Sequence, residues 1–104
     1  MSSFIENFQV SILKALAHPT RLKIVIKLQQ GTKCVTDIHE ILPASQANIS
    51  QHLTILRNAE IVDFTQEGSQ RCYYICRPEL IAGILNLLQQ EQPGEKQLAP
   101  QCSF

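Results

Sequence analysis

Four helical segments, an extended pair closed by a glycine turn and a last apolar helix follow one another in this chain. That order predicts a mainly α fold with a β-hairpin wing (α+β). Three observations carry the expectation. Apolar residues recur at three- and four-residue spacing between residues 4 and 59, with breaks at His18-Pro19, Gly31 and Pro43-Ala44-Ser45. Residues 62–76 are instead rich in Val, Thr, Tyr, Ile and Cys around Gly68-Ser69, as two strands and a tight turn would be. The 104 residues are 44% hydrophobic and 17% charged, which suits one small globular domain and disfavours disorder.

The first helix is expected over residues 4–17, on the stripe Phe4, Ile5, Phe8, Ile12, Leu13 and Leu16. Pro19 pushes His18 out of the α region and itself fits the first turn of a second helix, where its missing N–H costs nothing. Leu22, Ile24, Val25, Ile26 and Leu28 line that helix, and Gly31 ends it. Residues 35–42 make a short third helix around Val35, Ile38, Ile41 and Leu42. Ser45 is placed to N-cap a fourth, from Gln46 to about Ala59. Strands are expected from Val62 to Gln66 and from Arg71 to Cys76, and a fifth helix from Glu79 to Gln90 carries Leu80, Ile81, Ile84, Leu85, Leu87 and Leu88. The expected domain is residues 1–91. Residues 92–104, with two prolines and a glycine, are expected to be a mobile C-terminal tail.

An α-α-α-α-β-β-α order with a tight connection between the third and fourth helices is the layout of a winged helix-turn-helix. The third helix braces the fourth, which can then lie in a DNA major groove. Ile49, Leu53 and Leu56 form the inward stripe of the fourth helix, and its opposite face shows Gln46, Ala47, Ser50, Gln51, Thr54 and Arg57. Gln and Asn amides pair bidentately with adenine, and Ser and Thr hydroxyls serve base edges or phosphates. At the hairpin tip, Ser69, Gln70 and Arg71 can reach the backbone or the minor groove. The candidate DNA-binding residues are therefore Ser45, Gln46, Asn48, Ser50, Gln51, His52, Thr54, Arg57, Ser69, Gln70 and Arg71. His52 has two expected roles, touching DNA or bracing the third helix. A polar face that only solubilises a small helical bundle is the competing reading.

The run Ser45-Gln46-Ala47-Asn48-Ile49-Ser50-Gln51-His52-Leu53, with Leu56 and Ala59-Glu60-Ile61-Val62 after it, resembles the recognition-helix signature of the ArsR/SmtB repressors, S-Q-x-x-V-S-Q-H-L-x-x-L-x-x-A-G-L-V. Glu60 is its one non-conservative departure. Leu16-Ala17-His18-Pro19-Thr20-Arg21-Leu22-Lys23-Ile24 is similar to that family's opening L-A-H-P-T-R-L-x-I, and Gly68, Arg71 and Tyr74 are similar to its wing pattern. The resemblance covers about residues 13–88. It implies a dimeric, sequence-specific DNA-binding transcriptional regulator, a repressor released from double-stranded operator DNA by an effector, with homodimer contacts through the first and last helices. The many apolar residues of those two helices fit burial in a dimer. It also implies a structural role for Arg21. The alternative function is a winged-helix protein-interaction module without DNA binding; Gln46, Ser50 and Gln51 on one face argue against it, because a protein interface favours aromatics there.

Nine Lys+Arg against nine Asp+Glu give a net charge of zero, so composition alone does not point to nucleic acid. The total hides a gradient. Residues 10–61 carry Lys14, Arg21, Lys23, Lys27, Lys33 and Arg57 against Asp37, Glu40 and Glu60, whereas residues 79–104 carry Lys96 against Glu79, Glu91 and Glu95. A dimer can gather the basic middle on one side, with a modest affinity and a shallow salt dependence as the expectation. Residues 1–10 lack the basic start and long apolar core of a signal peptide, and no apolar run reaches the roughly 18–20 residues that cross a bilayer. A cytoplasmic protein with no membrane partner is expected.

The four cysteines form no C-x-x-C pair. Cys34-Val35-Thr36-Asp37 is similar to the C-V-x-D metal pattern of the resembled family. Thr36 stands where a second cysteine would be, no Cys or His precedes His18, and the fifth helix has no His, so Cys34 and Asp37 are at most an incomplete site. No cofactor is certain, and a soft metal or metalloid ion is the only candidate. Cys72 and Cys76, roughly 13 Å apart along one strand, cannot bond to each other and are expected to be buried. Cys34 and Cys102 are expected to be unrelated thiols. The sharper expectation makes Cys34, with Cys102 or a wing cysteine, a thiol switch on DNA affinity. His18 is expected to cap or pack, and His39 to be solvated. No Cys–His pair at recognisable spacing offers a nucleophile with its base, so an enzyme is not expected.

Overall fold

A computed structural model describes residues 2–91 and 93–94, the side chains of residues 2–5 excepted. The elements are α1 (Ser2–Leu16), α2 (Pro19–Leu28), β1 (Lys33–Cys34), α3 (Val35–Ile41), α4 (Gln46–Asn58), β2 (Val62–Glu67), β3 (Gln70–Ile75) and α5 (Pro78–Gln89). The five helices and the hairpin are those the spacing predicts. Unforeseen is β1, which makes the sheet three-stranded and antiparallel in the order β1-β3-β2. Its two residues pair as Lys33 with Tyr73 and Cys34 with Cys72. Two residues carry no readable alternation; this strand exists because the outer edge of β3 offers it partners. Apart from residues 93–94, the expected tail and Cys102 lie outside the described residues.

The helices pack on one core. Ile24, Ile38, Ile49, Leu53, Leu56, Ile61 and Ile81 are wholly buried, each worth roughly 1.5–3 kcal/mol on transfer from water. Three of them are the inward stripe of α4, so its polar face has to point out. The predicted Ser45 cap forms, and His18, expected to cap or pack, caps α2. The Thr20 N–H donates to His18 Nδ1 at 3.1 Å, and the Asn48 N–H donates to Ser45 Oγ at 3.1 Å. In the wing, Gly68 has φ 64° in a two-residue turn between the paired Glu67 and Gln70, a conformation that favours glycine. The buried wing tyrosine is Tyr73, at 3% exposure; Tyr74, singled out in the sequence pattern, faces out at 37%.

α4 ends in a Schellman turn. The Ile61 N–H donates to the Leu56 carbonyl at 3.0 Å and the Glu60 N–H to the Arg57 carbonyl at 2.9 Å. Glu60 holds the left-handed position, φ 63°, that the pattern of the resembled family gives to glycine. Arg77, which precedes α5, donates Nε to the Glu60 carbonyl at 3.0 Å and a terminal nitrogen to its carboxylate at 2.8 Å. The backbone strain of a non-glycine residue there is about 1–2 kcal/mol, and an exposed ion pair returns less. Glu60→Gly keeps the carbonyl bond and is expected to raise stability by about 0.5–1 kcal/mol after the added chain entropy of glycine. Thermal denaturation checks this; a lowered midpoint would mean that the Arg77 ion pair outweighs the strain.

Candidate nucleic-acid interface

The outward face of α4, the start of α3 and the wing enclose an open cleft of about 450 Å³. Among the predicted residues, Gln46, Ser50, Thr54, Ser69, Gln70 and Arg71 line it together. Gln46 and Ser50 stand one turn apart on α4. The Thr54 hydroxyl donates to the Ser50 carbonyl at 3.0 Å, which fixes its rotamer. Thr36, Gln66, Val35 and Tyr73 also line the cleft and were not foreseen. Thr36 drew attention only as a missing cysteine, but its hydroxyl donates to Gln70 Oε1 at 2.7 Å and joins the start of α3 to the wing. Alternation along β2 would have put Gln66 on the same face as Phe64, the single sequence signal for it.

The other candidates lie elsewhere. Ser45 is occupied as the α4 cap, and Asn48 and Gln51 are exposed on α4 outside the cleft lining. Arg57 donates to Asp63 at 2.9 Å, a bond that holds the Asp63 carboxyl below its ordinary range. Phe64 carries both arginines, Arg57 at 4.7 Å and Arg71 at 4.4 Å from its ring centre, which links the end of α4 to the wing.

His52 packs against the start of α2. Its ring lies 4.5 Å from that of His18, and Arg21 donates to His52 Nδ1 at 3.3 Å. Arg21 also donates Nε to the Ala15 carbonyl at 2.6 Å, so it ties the end of α1 to α4 in the structural role that the resemblance implies. Burial, then His18 and Arg21, lower the His52 pKa from 6.5. The unfolded chain therefore binds this proton more readily than the folded one, so stability is lost as pH falls below about 6.5. The thermal midpoint should drop between pH 7.5 and 5.5, and drop less in His52→Gln; equal slopes would contradict this.

The cysteines depart most from expectation. Cys34 and Cys72 are joined in a disulfide, because β1 runs opposite β3 and sets them face to face. The reading of Cys34 as an unrelated thiol is thereby corrected. Cys72 is buried as expected. Cys76 is exposed instead, because it lies past the end of β3 near Asp63 and Arg77. What burial it has, then the Asp63 carboxylate, pushes its thiol pKa up. The incomplete metal pair does not fit an ion. Cys34 is bonded to Cys72, the Asp37 carboxylate accepts from the Cys34 N–H at 3.2 Å, and no group of three or more His, Cys, Asp or Glu suits a metal among the described residues. His39 is exposed, as expected.

Residues 18–63 match the family described as bacterial regulatory protein, arsR family. The chain is 33% identical over 75 residues to the HTH-type transcriptional repressor SmtB of Mycobacterium tuberculosis, an alignment that covers 72% of this chain and 56% of that protein. It therefore spans little more than half the length of that relative. It is 38% identical over 74 residues to the arsenical resistance operon repressor of Bacillus subtilis, covering 70% of each. The solution structure of the homodimeric winged helix-turn-helix DNA-binding domain of Mb0332 from Mycobacterium bovis superposes with a TM-score of 0.80 at 24% identity. It covers 86% of this chain and 85% of that one, and shows the same fold.

Proposed function

Because the chain belongs to the bacterial ArsR family of regulatory proteins, we propose that it is a homodimeric, sequence-specific DNA-binding repressor, not an enzyme, that reads double-stranded operator DNA and is released by an effector. One observation carries this reading: amides, hydroxyls and an arginine from α4 and the wing line a single cleft, on a helix whose opposite face is wholly buried. The first turn of α4 leads into the major groove, where Gln46 and Ser50 meet base edges, while Ser69, Gln70 and Arg71 follow the backbone. Residues 1–91 hold both DNA reading and dimerisation, and the protein works in the cytoplasm, beside its DNA.

The dimer forms through α1 and α5. Phe8, Ile12, Leu13, Leu80 and Ile84 line an apolar groove between these helices. Leu87 and Leu88, one turn beyond Ile84 on α5, extend the exposed apolar surface at 66% and 58% exposure, and contiguous patches of this kind mark interaction sites. The Mb0332 domain of the same fold is itself homodimeric. No helix among the described residues is long and apolar enough to cross a membrane.

Fluorescence anisotropy with DNA from upstream of the chain's own gene, against a scrambled duplex, tests the reading. The expected result is saturable binding to the native duplex alone, with fewer than about ten counterions released along a salt series. Equal binding to both duplexes would contradict sequence-specific reading, and binding to neither would favour a protein-interaction role for the cleft.

A further inference from the structure

We propose that Cys34 and Cys72 form a thiol–disulfide exchange site whose co-reactants are low-molecular-weight disulfides and thiols, and that their bond locks the wing onto the α3–α4 unit. The inference deepens the operator-reading function and rests on it. The two cysteines are 38 residues apart in sequence, yet face each other across β1 and β3. Each adjoins the DNA cleft: Val35 and Thr36 follow Cys34, and Gln70 and Arg71 precede Cys72. Between these parts the other ties are non-covalent: the two-residue strand pairing, the exposed Thr36–Gln70 hydrogen bond and the burial of Tyr73 in the common core. The disulfide adds a covalent cross-link from the start of α3 to this strand of the wing.

The exposures give the two sulfurs different parts. Cys34 is half-buried and the more exposed of the two, whereas Cys72 is buried at 3% exposure. Cys76 lies roughly 13 Å further along the chain, out of bonding reach of Cys72. In the oxidising direction the Cys34 thiolate attacks one sulfur of a small disulfide and expels a small thiol, leaving a mixed disulfide on Cys34. The Cys72 thiolate then attacks Cys34 Sγ and expels the second small thiol. Two protein thiols lose two electrons and two protons, and one small disulfide becomes two thiols. Reduction runs the same steps backwards, with entry at Cys34. Disulfides in a reducing cytosol are transient and responsive, which makes this one a reporter of thiol poise.

With the bond formed, the cleft is held in shape before DNA arrives. With it broken, the wing has to be ordered on binding, so operator affinity falls. The test uses the full chain carrying Cys76→Ser and Cys102→Ser, equilibrated in buffers of glutathione and glutathione disulfide. Peptide mapping without reductant reads the Cys34–Cys72 link independently of DNA, and anisotropy reads operator affinity in the same buffers. The expected result is a reversible link that follows the glutathione ratio and an affinity at least tenfold higher in the linked state, with Cys34→Ser fixed at the lower affinity. A link that never forms, or one that forms with unchanged affinity, overturns the proposal. Absence of operator binding at every ratio, with the link following the ratio, contradicts the operator-reading function while leaving the exchange chemistry standing.

Discussion

Gln46→Ala is expected to weaken operator binding at least about thirtyfold while leaving folding stability within about 0.5 kcal/mol of the parent. Gln46 opens α4, is exposed, makes no side-chain hydrogen bond among those of the described residues, and lines the cleft with Ser50 and Arg71. Removing it costs the fold almost nothing, since surface positions without such bonds tolerate truncation. A bidentate amide–base pair discriminates by about 1–3 kcal/mol. A two-fold dimer makes the contact twice, so the smallest expected loss is about 2 kcal/mol, a factor of about thirty. Affinity for scrambled DNA should barely change, because that term comes from phosphate contacts. Anisotropy on both duplexes checks the prediction. A parallel loss on the two would place Gln46 on the backbone, and no loss would remove it from the interface.

Leu13→Glu is expected to convert the proposed dimer to a monomer at micromolar concentration. Leu13 lies in the groove between α1 and α5 at 60% exposure, with Val10 and Leu80 also exposed nearby at 45% and 43%. In a two-fold interface the substitution buries two carboxylates near each other, and an unpaired buried charge costs several kcal/mol. The core beneath it, from Ile12 to Leu85, is untouched, so the helical content should persist. Sedimentation equilibrium should give a single-chain mass, and operator affinity should fall at least a hundredfold because one half-site then binds alone. A variant that remains dimeric would place the interface on another face.

The parts of this architecture that depend on local spacing were legible from the residues. The breaks at His18-Pro19 and Pro43-Ala44-Ser45, the turn at Gly68 and the buried stripe Ile49, Leu53, Leu56 are all where the pattern puts them. What escaped depends on pairing between distant residues. The strand Lys33–Cys34 has no pattern of its own and owes its existence to Tyr73 and Cys72 across the sheet. With it went the Cys34–Cys72 bond and the place of Thr36 in the cleft. The contacts of His52 were out of reach for a related reason: it stands on α4, but its partners Arg21 and His18 are far away in sequence. Arg57 reads as a free cation until Asp63 and Phe64 close on it.

Hydroxyl-radical footprinting of the upstream duplex, with the disulfide-linked protein, tests most directly the claim that a dimer reads an operator through the α4–wing cleft. The predicted result is two protected patches related by a dyad and centred about one helical turn or a multiple of it apart, both fading together in Gln46→Ala. A single continuous patch, or patches unchanged by that substitution, would contradict it.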